Sequence, residues 1–285
     1  MNSRTPALLI ASTLLLTTAC GGRSGALPGG AADGLAPLAD GAVGDRSLSP
    51  DLLPDRVEGL IYQTELRDQS SGAQQGAAYV FFTPRPMPFF APTKSLPGGC
   101  ALYPDEEVGD RQFSAGKVRF SGGPYSFSLS PEKPLKKDSW LYPGILFDDL
   151  FSAKNTLTIR AEGDELPTFS GTVQGVDDLK VALPPGNFVR RAYPLSLTFP
   201  KGSGTMWVTL NGVVSGKTTG NIRCSFAGGP GSATVATAVL QALPAGATHV
   251  IIGAGLVSEQ VLQPTPNLKV HLIATNLLRK QYALQ

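Results

Sequence analysis

The chain has 285 residues, of which 16% are charged, and a formal net charge of +2. That balance, with no cluster of Lys and Arg, excludes a nucleic-acid footprint. Its 33 glycines and 24 prolines favour turns and short strands over helices. Three cysteines and two histidines leave little material for a metal centre, and no metal or cofactor is expected.

At the N-terminus an apolar run, Ala7 to Ala19, follows a single basic residue, Arg4. A spanning helix needs ~20 apolar residues, so this run suits a cleaved signal better. It ends Leu14-Leu15-Leu16-Thr17-Thr18-Ala19-Cys20, with the small residues Ala19 and Gly21 flanking the cysteine. The stretch resembles a bacterial lipoprotein signal peptide, which is cut before a cysteine whose thiol then carries a diacylglycerol. The third residue before the cut is Thr17, where that pattern usually has Leu. The other reading is an ordinary secretory signal cut after Ala19. The resemblance implies lipidation at Cys20 and attachment to a membrane. Because Gly21 rather than Asp follows the cysteine, it implies the outer membrane. Residues 1–19 are then the signal. Residues 20–54, rich in Gly, Ala, Pro and Asp and without an apolar period, form a linker that cannot bury a core.

From Arg56 the character changes. Val57 to Leu66 and Ala77 to Thr83 are rich in strand formers, and the polar stretch between them predicts an antiparallel pair. Between Pro84 and Pro92 the prolines bar a strand ladder, which puts Met87, Phe89 and Phe90 in a stiff loop. There the three offer a contact surface to a partner, the alternative being that Phe89 and Phe90 fold back to cap the core. Short strands are expected at Cys100 to Tyr103, Lys117 to Ser121, Tyr125 to Leu129 and Thr156 to Ala161, and a helical turn at Asp148 to Phe151. The polar turn Glu162 to Pro167 reads as a domain boundary, dividing a first β-sandwich, 55–165, from a second, 166–285.

In the second part, strands are expected at Thr168 to Val173, Leu179 to Leu183, Leu195 to Phe199, Thr205 to Leu210, Asn221 to Phe226, Thr248 to Val257 and Leu268 to Ala274. Leu195 to Phe199 and Met206 to Leu210 alternate as half-buried strands do. Ala236 to Ala242, stopped by Pro244 and Gly246, predicts one short helix. The fold class is thus mainly β: an antiparallel sandwich of one or two immunoglobulin-like domains with a single helix near 236–243.

The series Gly163-Asp164-Glu165-Leu166-Pro167-Thr168-Phe169, Leu195 to Phe199, Ile222 to Phe226 and Leu240 to Gly246 resembles a group of uncharacterised lipoproteins of myxobacterial type. The likeness covers residues 55 to 285. It implies a β-sandwich and an envelope location, and it carries no activity or site.

Several motifs imitate chemistry. Val250 to Ser258 runs into Gly253-x-Gly255, but the third glycine of a dinucleotide fingerprint is absent and Pro264 stops any helix. Gly212 to Thr218 is one residue short of a phosphate loop, and a glycine-rich hairpin explains it better. His249 and His271 could face each other on the last two strands, without the further donors a metal needs. The doublets Asp148-Asp149 and Asp177-Asp178 lack a calcium-loop pattern. Cys100 and Cys224 are a candidate disulfide, given an oxidising compartment, with two buried thiols as the alternative. These features predict a lipid-anchored cell-envelope protein with a non-catalytic binding or structural role. Its partner would be an envelope protein or polymer of unknown identity. The alternative is an envelope-polymer hydrolase using a carboxylate pair.

Overall fold

The computed structural model describes residues 56–84, 86–87, 89–105, 111–133, 139–147, 150, 154–177, 180–201 and 204–285. In chain order the first strands are β1 (Val57–Asp68), β2 (Gln74–Pro84), β3 (Lys94–Leu96), β4 (Cys100–Tyr103), β5 (Val118–Ser121), β6 (Phe127–Leu129), β7 (Ile145–Phe147), β8 (Thr156–Ala161) and β9 (Phe169–Gln174). Then come β10 (Phe188–Val189), β11 (Leu195–Thr198), β12 (Thr205–Val214), β13 (Lys217–Ala227), β14 (Ser232–Val235), the helix α1 (Thr237–Gln241), β15 (His249–Thr265) and β16 (Leu268–Leu284). The expected class, mainly β with one short helix, is the one the described residues adopt, as layered sheets.

One long sheet dominates, in the order β3-β4-β13-β12-β15-β16-β1-β2-β7, with β10 also paired to β16. Most neighbours are antiparallel, but β1 runs parallel to β16 from Val57 opposite Leu268 to Asp68 opposite Arg279. That pairing joins the two ends of the described chain. β8 and β9 pair across the turn that contains Glu165 and Leu166, with Leu157 opposite Val173. The division at 165/166 is therefore corrected. The polar turn is a hairpin connection inside a four-stranded sheet, β6-β5-β8-β9, and the long sheet draws strands from both sides of it.

Two layers cover one face of the long sheet. The period-two rule sends residues 268, 270, 272 and 274 of β16 to that face. There they pack with Val57, Ile61, Val80 and Phe82 against Val118, Phe120, Leu157 and Ile159 of the four-stranded sheet. Further along, Met206, Val208, Leu210, Ile222, Val250, Ile252 and Tyr282 pack against the β11–β14 pair and α1, through Leu195, Leu197, Val235, Val239 and Leu240. Gly59 serves this core by having no side chain, since a Cβ there would lie 2.6 Å from the Phe82 ring.

Local chemistry explains the connections. β12 and β13 are joined by Ser215 and Gly216, both at positive φ (50° and 75°), the two-residue turn that suits twisted strands. The Gly212 to Thr218 stretch is thus the hairpin its glycines suggested. Beyond α1, the Arg191 guanidinium donates to the carbonyls of Leu243 and Pro244 at 2.9 and 2.6 Å, and the Ala247 amide also donates to Pro244, so the turn after the helix is fastened from two sides. β15 and β16 run well past the expected Val257 and Ala274, and Pro264 sits in the register shift between Leu262 and Thr265, where a proline is tolerated. The segment 180–183 makes only a bridge from Ala182 to Thr198 in place of the expected strand.

Candidate functional site

The opposite face of the long sheet carries the charged chemistry. On β16 the odd residues Lys269, His271, Ile273 and Thr275 point there, and on β1 so do Glu58, Leu60, Tyr62 and Thr64. His271 is 4% exposed and Glu58 6%. The parallel register sets His271 opposite Leu60, which leaves Glu58 on the diagonal. Glu58 Oε1 lies 3.3 Å from His271 Nε2, and Lys269 Nζ is 3.7 Å from the same oxygen. Across the other ladder Glu259 of β15 faces Ile273, and its Oε1 reaches His271 Nδ1 at 2.6 Å.

The imidazole is therefore held at both nitrogens by carboxylates from its two neighbouring strands. The two acids stand on opposite sides of the ring and do not converge on one point. Among the described residues no group of three or more His, Cys, Asp or Glu side chains could hold a metal ion. Above the ring lies Phe90, stacked at 3.8 Å between centroids and 23° from parallel. The turn that carries Phe90 is tied to the same cluster, because the Met87 amide donates to Glu58 Oε2 at 2.9 Å. Phe90 and Ala91 in turn donate their amides to the Met87 carbonyl.

Next to this cluster Arg223 of β13 lies among three rings. Its Cζ is 4.2 Å from the centroid of Tyr103, 4.5 Å from Phe89 and 4.6 Å from Trp207. Its Nη2 donates to the Phe89 carbonyl at 3.0 Å, a second charged group fastening the turn. Cation–π contacts of this kind reach ~2 kcal/mol when desolvated.

The charges reinforce one another. Burial opposes ionisation of Glu58, but the His271 bond, the Met87 amide and the nearby cations outweigh it and hold the carboxyl below its ordinary range. At Glu259 the hydrogen bond to His271 is the largest influence, and that acid is lowered too. Burial pulls His271 down, while its bonds to Glu259 and Glu58 together lift it above its ordinary value. The balanced state is an imidazolium between two carboxylates.

The structure places the sequence candidates as follows. Cys100 and Cys224 are bonded to each other, as directly opposed residues of β4 and β13, across a separation of 124 residues. Met87 is 1% exposed, which corrects its expected place in a partner-facing loop: its amide is bound by Glu58 and its side chain packs with Leu60, Tyr79 and Phe81. Phe89 and Phe90 are half-buried over the same patch. His249 and His271 lie far apart on the β15–β16 ladder, opposite Ala283 and Val261. Gly253 and Gly255 sit in the middle of a strand, where a Cβ on Gly255 would collide with the Asn276 carbonyl. Cys20, Asp148, Asp149 and Asp178 lie outside the described residues.

Sequence reasoning missed Glu58, Glu259 and Arg223, and it treated His271 as an ordinary strand histidine. The available signal was an acid and a histidine inside strands otherwise apolar enough to be buried, since buried charge is nearly always paired. The fold and site together define a mainly β protein with a buried charge cluster on the outer face of its long sheet. Compared with known protein families, curated proteins and solved structures, the chain matches none.

Proposed function

We propose that this chain is a lipid-anchored cell-envelope protein, held at the outer membrane through Cys20, with a non-catalytic binding or structural role. The observation that carries the non-catalytic part is the state of His271. Both its nitrogens are engaged by carboxylates and its face is covered by Phe90, so neither nitrogen is free to move a proton for a substrate. The acids of that cluster are likewise engaged, Glu259 by His271 and Glu58 by His271 and the Met87 amide. Such an arrangement holds a turn in place. The buried Cys100–Cys224 bridge suits an oxidising compartment beyond the inner membrane. The anchor rests on the Leu14 to Cys20 stretch, and the resemblance to lipoproteins of myxobacterial type belongs to the same proposal.

The test is metabolic labelling with an alkyne fatty acid, followed by separation of the membranes and cross-linking recovery of partners. The wild-type chain is expected to take the label, float with the outer membrane and recover a defined envelope component. Cys20→Ser is expected to take no label and to leave the membrane fraction. Label on the Cys20→Ser chain would overturn the anchor. Turnover of an envelope polymer by the purified chain, abolished in Glu58→Gln or Glu259→Gln, would overturn the non-catalytic reading.

A further inference from the structure

We propose that the Glu58–His271–Glu259 cluster is a proton-operated clasp on the turn carrying Met87, Phe89 and Phe90. It is shut while His271 is protonated between two ionised carboxylates, and it opens to uncover the aromatic face around Trp207 when that charge pattern is lost. The inference stands on the outer face alone and is independent of the anchor at Cys20.

The geometry makes one proton do two jobs. A doubly protonated ring donates to Glu259 at 2.6 Å and to Glu58 at 3.3 Å. A neutral ring has one N–H, which stays on the shorter bond to Glu259. Glu58 then faces a lone pair across the longer one. That carboxylate is the one that holds the Met87 amide, so the repulsion falls on the turn's own tether. The Phe90 ring, stacked on the imidazole, loses its cation at the same moment.

The groups facing His271 come from every strand around it. They are Glu58 on β1, Lys269 on β16 itself, Glu259 on β15 and, further out, Arg223 on β13. Tyr62, beside Phe89, stays neutral because burial raises its hydroxyl above the ordinary value. In acid, protonating the two carboxylates leaves His271, Lys269 and Arg223 as unbalanced cations, and the clasp opens on that side also.

The signs define the window. A histidine raised on folding contributes in full below its ordinary 6.5, and that contribution is lost as pH rises through the folded value. The acids, lowered on folding, contribute in full above their ordinary 4.5 and lose that as pH falls through their folded values. The clasp is therefore tightest between those two ordinary values.

The experiment uses the full chain in a Trp140→Phe background, so that Trp207, 6.2 Å from Phe89, is the only tryptophan. Acrylamide quenching is followed across pH while far-UV circular dichroism tracks the fold. Quenching is expected to be lowest in the window and to rise on both sides without loss of strand signal. The alkaline rise is expected to vanish in His271→Gln, which has no proton to lose. In the unsubstituted chain, hydrogen exchange of the Met87 amide, corrected for its intrinsic pH dependence, is expected to lose about tenfold protection on the alkaline side, as a local opening does. Flat quenching across pH, an alkaline limb that survives in His271→Gln, or Met87 protection that does not change with pH would each overturn the clasp. Should His271→Gln fail to fold, the exchange measurement on the unsubstituted chain decides.

Discussion

The two faces of the long sheet are built from alternate residues of the same strands, yet they are held by different physics. On the covered face Leu268, Val270 and Leu272 pack against a second layer, and any apolar side chain of similar volume would serve nearly as well. On the other face Lys269 and His271 alternate with those residues, Thr275 lies further along the strand, and there identity matters. The buried Glu58 and His271 are tolerable only because each finds its counter-charge at bonding distance. The covered face supplies stability in bulk through apolar burial, about 25 cal/mol per Å². The outer face fixes one turn in one place.

The largest test of that contrast lies in the core. Phe82 is fully buried, lies over Gly59 and meets the rings of Tyr142 and Phe169 edge-on at 6.2 and 6.0 Å. Phe82→Ala is expected to cost about 3–5 kcal/mol in denaturant unfolding. A cost below 1 kcal/mol would mean that the layers are not closely packed there.

The disulfide comes next. Cys100→Ala with Cys224→Ala removes a bridge closing 124 residues of sequence and is expected to cost about 2–5 kcal/mol. The unsubstituted chain should lose a similar amount on adding reductant, and the double variant nothing. A variant that still responds to reductant would break this expectation.

On the outer face, Glu58→Gln keeps the shape and removes the charge. At neutral pH it is expected to cost about 1.5–3 kcal/mol, the range for hydrogen bonds to ionised groups. Since the Glu58 carboxyl is lowered on folding, the gap between variant and wild type should close as pH falls through its folded value. A gap that stays constant from pH 7 to pH 3 would show that charge is not what Glu58 contributes.

The smallest effect is expected at Tyr62. Its hydroxyl donates to Thr275 Oγ1 at 2.9 Å, and Thr275 passes its own proton to Thr64. Tyr62→Phe should cost about 0.5–1.5 kcal/mol with no change in the pH profile, because the chain of hydroxyls carries no net charge. A pH-dependent loss would couple Tyr62 to the clasp.

Much of the fold was legible because strand formation answers to local pattern. β4 and β8 run between the residues where short strand-forming runs placed them, Cys100 to Tyr103 and Thr156 to Ala161. The β12–β13 turn was legible in Ser215-Gly216, since a position needing positive φ selects glycine. The ends of β15 and β16 were not. Residues such as Ser258, Glu259 and Gln260 have no apolar alternation of their own, and they are strand only because β16 pairs with them.

Sequence by itself determined the class of the protein, the positions of most strands, the short helix and the two cysteines able to pair, because each depends on neighbours a few residues away. Tertiary structure decided the rest. Only the parallel docking of β1 on β16 brings Glu58 to His271, which lie 213 residues apart, and only the hairpin of β15 and β16 supplies Glu259 from the other side. A charged residue in a strand does not announce its partner, since register between distant strands is set by the packing of the whole sheet. The same packing turned Met87, Phe89 and Phe90 back onto the sheet, where stiffness of the proline-rich stretch alone left them free to face either way.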